Sequence, residues 1–142
     1  MPIRKIIVII SILLSLVGCQ KNVIPAKGFP TPESGKATVA GRLFSSTNKK
    51  ALTGTVVRLA EVYRQNGEGA FLLDAAASPG TVTDQEGYFV FPNVDAKEYV
   101  LVVGDPMISY VIVSGSDGQA KVWKTESNKI TNVGDIYVNY QQ

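Results

Sequence analysis

Thr83-Asp84-Gln85-Glu86-Gly87-Tyr88-Phe89-Val90-Phe91-Pro92-Asn93-Val94 is the stretch on which the fold turns. Its first half is turn chemistry: an aspartate carboxylate can accept hydrogen bonds from the amides that follow it, and Gly87 can take a φ angle that other residues resist. Its second half is strand chemistry. Phe89 and Phe91 stand two residues apart, so in an extended chain both rings point to the same side. A tight turn that feeds a strand with one greasy face belongs to a sheet packed against another sheet.

The same grammar extends in both directions. Thr38 to Phe44, Thr55 to Tyr63, Gly80 to Asp84, Tyr88 to Phe91, Tyr99 to Val103, Ile108 to Val113, Gln119 to Lys124 and Gly134 to Tyr140 are short runs rich in β-branched and aromatic residues. Between them lie turn formers such as Asn48-Lys49-Lys50, Gly104-Asp105-Pro106 and Gly115-Ser116-Asp117-Gly118. No window of helical length outside the amino-terminal segment repeats its apolar residues every 3.6 positions. The spacing predicts an all-β fold, an antiparallel sandwich of seven to eight strands. Alternation nominates the core: Val39 and Leu43, Val57 and Leu59, Phe89 and Phe91, and Tyr99 with Leu101 and Val103. One stretch, Arg64 to Ser78, breaks the rhythm with Gln65-Asn66-Gly67-Glu68-Gly69, a short strand at Ala70 to Leu73 and an alanine run. Long irregular loops of this kind often carry binding.

Ahead of the strands the composition changes. Residues 20–36 hold three prolines and two glycines without an apolar period, which reads as a tether. Seventeen such residues span roughly 20 to 25 Å as a coil and about 50 Å as a stiff polyproline-like rod. Before them, Arg4 and Lys5 precede a 12-residue apolar run from Ile6 to Val17, too short to cross a bilayer as a helix, which takes about 20 residues, and right for an export signal. Cys19 is the sole cysteine in 142 residues.

Charge and composition exclude several chemistries. The chain has 14 Lys plus Arg against 12 Asp plus Glu, and loss of Arg4 and Lys5 with a signal leaves the remainder formally neutral. A basic field for nucleic acid is therefore missing. There is no histidine, which removes Ser-His-Asp and Cys-His nucleophiles, histidine-bound zinc or iron, and imidazole pH switching.

Two family resemblances follow from these residues. Leu16-Val17-Gly18-Cys19 resembles the lipobox of bacterial lipoproteins. That resemblance implies cleavage before Cys19, a diacylglycerol thioether on its sulfur and acylation of the freed amine. Residues 1–18 are then signal, 19–36 a lipidated tether and 37–142 the domain. The expected location is the cell membrane, reached through the lipid; Gln20, in place of an aspartate, resembles the outer-membrane sorting pattern of organisms with two membranes. Val39-Ala40-Gly41-Arg42-Leu43, Leu52 to Leu59, Thr83 to Val94 and Glu98 to Val103 together resemble carboxypeptidase regulatory-like domains, which implies a transthyretin-like (prealbumin-like) sandwich. In this chain Lys97-Glu98 stands where a glycine often precedes the tyrosine of the closing strand. Peptidase activity does not follow, because in metallocarboxypeptidases the domain is an appendage to a separate catalytic unit.

The remaining candidates are weighed on chemistry. Ser46-Thr47-Asn48-Lys49 matches S-x-x-K but falls in a turn between strands, and Glu126 after Lys124-Thr125 denies it a Lys-Thr-Gly partner. Asp84, Glu86, Asp105, Asp117 and Asp135 are spread over separate turns, without the dense carboxylate loop calcium requires. A lysine-to-asparagine isopeptide bond with Asn139 as acceptor lacks the lysine expected near Phe44-Ser45. Trp123 and Tyr63 are the candidate ligand or partner contacts. Trp123 is a contact if Val122 faces inward, and core if Trp123 does. The reading is a non-catalytic, membrane-anchored envelope lipoprotein without a cofactor. Its sandwich is a structural or protein-interaction module, with glycan binding or adhesion as the alternative.

Overall fold

The computed structural model describes residues 28–141. Nine strands follow one another: β1 (Lys36–Ser45), β2 (Val56–Gln65), β3 (Glu68–Leu72), β4 (Gly80–Val82), β5 (Tyr88–Asp95), β6 (Glu98–Asp105), β7 (Ser109–Ile112), β8 (Val122–Lys124) and β9 (Ile130–Val138). The architecture is an all-β sandwich. The smaller sheet runs β5-β1-β9, and the larger runs β3-β2-β6-β7, with β4 also on β2 and β8 also on β6. The lipobox, Cys19 and the first part of the tether lie outside the described residues.

Each of the eight runs read from sequence contains a strand, and the short strand read at Ala70 to Leu73 inside the irregular stretch is part of β3, which starts two residues earlier. There the chain forms a hairpin, Tyr63 opposite Ala70 and Gln65 opposite Glu68, closed by Asn66 and Gly67 at φ 52° and 83°. Positive φ at both central residues is what a two-residue hairpin turn demands. Pairing is antiparallel except between β1 and β9, which run parallel with Thr38 opposite Ile130 and Ser45 opposite Val138. Antiparallel neighbours can be joined by a local turn, whereas a parallel pair needs a long crossover. Here everything from β2 to β8 is that crossover, so no local signal announces it.

The inward residues predicted from alternation all join one buried cluster, with Ala37, Val94, Val113, Ile136 and Val138 completing it. Phe89 and Phe91 meet edge to face at 5.9 Å. Burying a side chain of this size contributes about 1.5–3 kcal/mol. A second apolar layer lies on the outer face of the large sheet, where Ala60, Val100 and Val102 are covered by Val62, Leu73, Ile112 and Ala120. The unbroken run Tyr99-Val100-Leu101-Val102-Val103 is explained by this: β6 is buried on both faces.

The turn that opened the sequence reading is built as its residues suggest. Asp84 Oδ1 accepts the amides of Glu86 and Tyr88, each at 2.9 Å. Gly87 sits at φ 84°, and a Cβ there would lie 2.5 Å from the Leu43 carbonyl oxygen. The last part of the stretch read as tether is attached to the sandwich. Glu33 and Asn93 exchange hydrogen bonds of 2.8 and 2.9 Å, Thr38 Oγ1 donates to the Pro30 carbonyl at 2.9 Å, and the Gly35 amide donates to Asn128 Oδ1 at 2.9 Å.

Candidate functional site

The two sheets part at the end of the sandwich where β1 begins and β2 ends, leaving a cleft of about 430 Å³. One wall comes from Glu61 and Tyr63 of β2, Leu72 of β3 and Tyr99 of β6; the other comes from Pro92 to Asp95 of β5 and Lys36. The loop from Asp74 to Pro79 forms the rim. Strand register explains the assembly: Glu61 lies opposite both Leu72 and Tyr99, so these side chains share the face that further along the sheet is core. β2 continues past the start of β6, and its inward face there has no opposing sheet to cover it.

Charge in the cleft is arranged as a chain of pairs. Lys36 Nζ donates to Asp95 Oδ1 at 2.7 Å, Lys97 Nζ stands 4.0 Å from Asp95 Oδ2, and Lys97 donates to Glu61 Oε1 at 2.7 Å. The hydrogen bond and charge of Lys36 hold the Asp95 carboxyl below the ordinary aspartate value, and Glu61 raises Lys97. Asp74 is lowered by the amides of Ala76 and Ala77, both of which its Oδ1 accepts. Burial pushes Tyr99 up to about 12, and its hydroxyl donates to the Asp95 carbonyl at 3.0 Å. These ionic and turn-capping bonds engage the carboxylates of Glu61, Asp74 and Asp95. Exposed pairs of this kind are screened by solvent and add little to stability.

The two aromatic candidates separate. Tyr63 is 52% exposed on the cleft wall. Trp123 lies opposite Tyr99, faces inward and is half-buried against the core, with Lys121 Nζ 5.1 Å from its ring. Val122 takes the outer face opposite Val100. Ser46 and Lys49 lie in the turn after β1, where the Lys49 amide donates to the Ser45 carbonyl and the lysine Nζ sits 5.2 Å from the Tyr137 ring. Asn139 Oδ1 accepts from Thr47 Oγ1 at 3.5 Å. Among the described residues no three carboxylates or thiols converge as metal ligands.

Sequence reasoning named Tyr63 and the Arg64 to Ser78 stretch but not the cleft they line, since its shape depends on how far β2 outruns β6. Nor did it find the outer face of the small sheet. There the Arg42 guanidinium lies 4.7 Å from the Phe44 ring and 4.9 Å from that of Tyr88, and Phe44 stacks on Tyr137 at 5.2 Å.

No family model matches the chain, and no curated protein matches it. Among solved structures, a Pseudomonas aeruginosa protein provisionally assigned to carbohydrate binding is 18% identical with a TM-score of 0.47, the match covering 78% of this chain and 98% of that one. A 9R-lipoxygenase from Cyanothece is 21% identical with a TM-score of 0.45, covering 78% of this chain and 18% of that one. The major pilin subunit of Bacillus cereus is 13% identical with a TM-score of 0.41, covering 76% of this chain and 30% of that one. The chain thus spans less than a third of the lipoxygenase or the pilin. No activity or ligand passes from these proteins to this one.

Proposed function

We propose that this chain is a non-catalytic lipoprotein of the cell envelope. Its sandwich, of the carboxypeptidase regulatory-like type, is held to a membrane by acylated Cys19 and works as a structural or protein-interaction module. The observation that carries the binding part is the division of labour in the cleft. The carboxylates of Glu61, Asp74 and Asp95 are engaged by neighbouring lysines or amides, while Tyr63 and Leu72 stand open. Surfaces that keep an aromatic open and their charges paired are suited to contact. The anchoring part rests on Leu16-Val17-Gly18-Cys19.

A glycan is the second reading, favoured by the placement of exposed Tyr63 beside the polar groups of the cleft, an aromatic on which a sugar ring can stack. Both readings are tested in cells. Cys19→Ala should abolish fatty-acid labelling and release the protein from membranes; a mutant that remains labelled and bound refutes the anchor. Crosslinking of the wild-type chain should capture a protein or a glycan that Tyr63→Ala loses, and capture unchanged by Tyr63→Ala removes the cleft from the proposal.

A further inference from the structure

The turn joining β6 to β7 exposes what turns normally hide. Asp105-Pro106-Met107-Ile108 is a tight turn: the Ile108 amide donates to the Asp105 carbonyl at 3.0 Å, and Asp105 Oδ1 accepts the Met107 amide at 2.8 Å. At its tip Met107 is 81% and Ile108 85% exposed, the highest values among the exposed large apolar residues. Turn tips are ordinarily polar, and adjacent apolar side chains held in water have a cost that only a partner removes.

The topology says what lies on that side. The tip is at the end of the sandwich opposite the cleft. Tyr140, just past β9, sits against Gly104, and β9 ends beside Ser45, so the turn carrying Lys49 and Lys50 shares this end. Tyr110 lies opposite Gly104, and Tyr137 is the last residue but one of β9. Both tyrosines are about half exposed. The described chain begins on the side nearer this end: Gly28 and Phe29 lie beside Val82, Asp84 and Tyr88, and Tyr88 pairs with Arg42 in the second half of β1. From Cys19 to Gly28 there are nine residue steps, which span about 30 Å at full extension, so an anchor at Cys19 keeps this part of the domain near the membrane. An apolar tip, flanking tyrosines and lysines, at the end from which a short anchor leaves, is the composition of a surface that meets a bilayer.

We infer that the Met107–Ile108 turn docks into the headgroup–acyl boundary of a lipid bilayer, setting the sandwich upright with its cleft facing away from the membrane. This rests on the anchoring reading, and the test separates the two. Full-length protein carrying Ser109→Cys or Gln65→Cys is labelled with an environment-sensitive fluorophore. It is then reconstituted into phosphatidylethanolamine–phosphatidylglycerol vesicles with brominated acyl chains. Acylated Cys19 is unreactive, so each protein takes one label. The Ser109 probe should lose emission to the bromines and the Gln65 probe should not. M107D/I108D, and the milder M107S/I108S, should restore the Ser109 emission while the protein stays with the vesicles. An unquenched Ser109 probe on membrane-bound protein, or a quenched Gln65 probe, overturns the docking. If Cys19 also takes label and the protein is soluble, the anchor is refuted. The tip is then judged by adding the vesicles to that soluble protein: quenching at Ser109 upholds docking, and its absence overturns it.

Discussion

Gly41 has no room for a side chain. A Cβ there would stand 2.4 Å from Val133 Cγ2, 2.8 Å from Phe89 Cζ and 3.0 Å from the Gly134 carbonyl. Gly41→Ala should therefore lower stability by about 1–3 kcal/mol, the usual cost of overpacking, read as a shift in the urea midpoint at unchanged slope. Tyr99 makes a prediction in pH. Its phenol is neutral when protonated, and burial raises it from 10 to about 12, so the folded state holds that proton more tightly. The stability it contributes is whole below pH 10 and is lost between about 10 and 12. Lys97, raised by Glu61, is lost on the alkaline side in the same sense. Tyr99→Phe should flatten part of the alkaline fall in stability while costing about 1 kcal/mol at neutral pH for the lost bond to Asp95. Residue-level reading worked where the cause was local: Asp84 and Gly87 behave as their own chemistry requires. It left Trp123 open because a strand of three residues presents one side chain to one face and two to the other, and its own pattern cannot say which. Gly41 was silent, since its crowding comes from β5 and the β9 side of the sheet.

Strands were legible as elements and their pairing was not. Turn residues mark where each run stops, yet nothing in Ile130 to Val138 says that it lies beside β1 with the same direction. This last strand supplies Ile136 and Val138 to the core and gives β1 its second neighbour. A chain ending at Lys129 should accordingly fail to fold: β1 would present an unpaired edge and the core an open side, and circular dichroism should show loss of the cooperative transition. The second apolar layer was half visible. Five successive apolar residues in β6 point to burial on both faces, but Leu73 and Ala120, which do the covering, come from loops with no period to read. The hairpin at Asn66-Gly67 carried a strong turn signal; the neighbouring glycines and polar residues obscured only the strand ends beside it, Arg64-Gln65 and Glu68-Gly69.

For the molecule as a whole, composition excluded more than it identified. Formal neutrality beyond residues 1–18 and the lack of histidine were visible at once, while the cleft and the bare tip at opposite ends required the folded chain. The arrangement of the termini has a mechanical consequence. β1 enters the fold and β9 leaves it, side by side and parallel, so a pull between the two ends of the described chain loads their hydrogen bonds all together in shear. The segment from Pro30 to Gly35, held by a few separate bonds, would instead peel away one bond at a time. Single-molecule stretching should record an early, low-force release of that segment and then one abrupt rupture at much higher force. Thr38→Val, which removes the bond to Pro30, should weaken the first event and leave the second in place. A domain built this way gives a little slack under load before it resists.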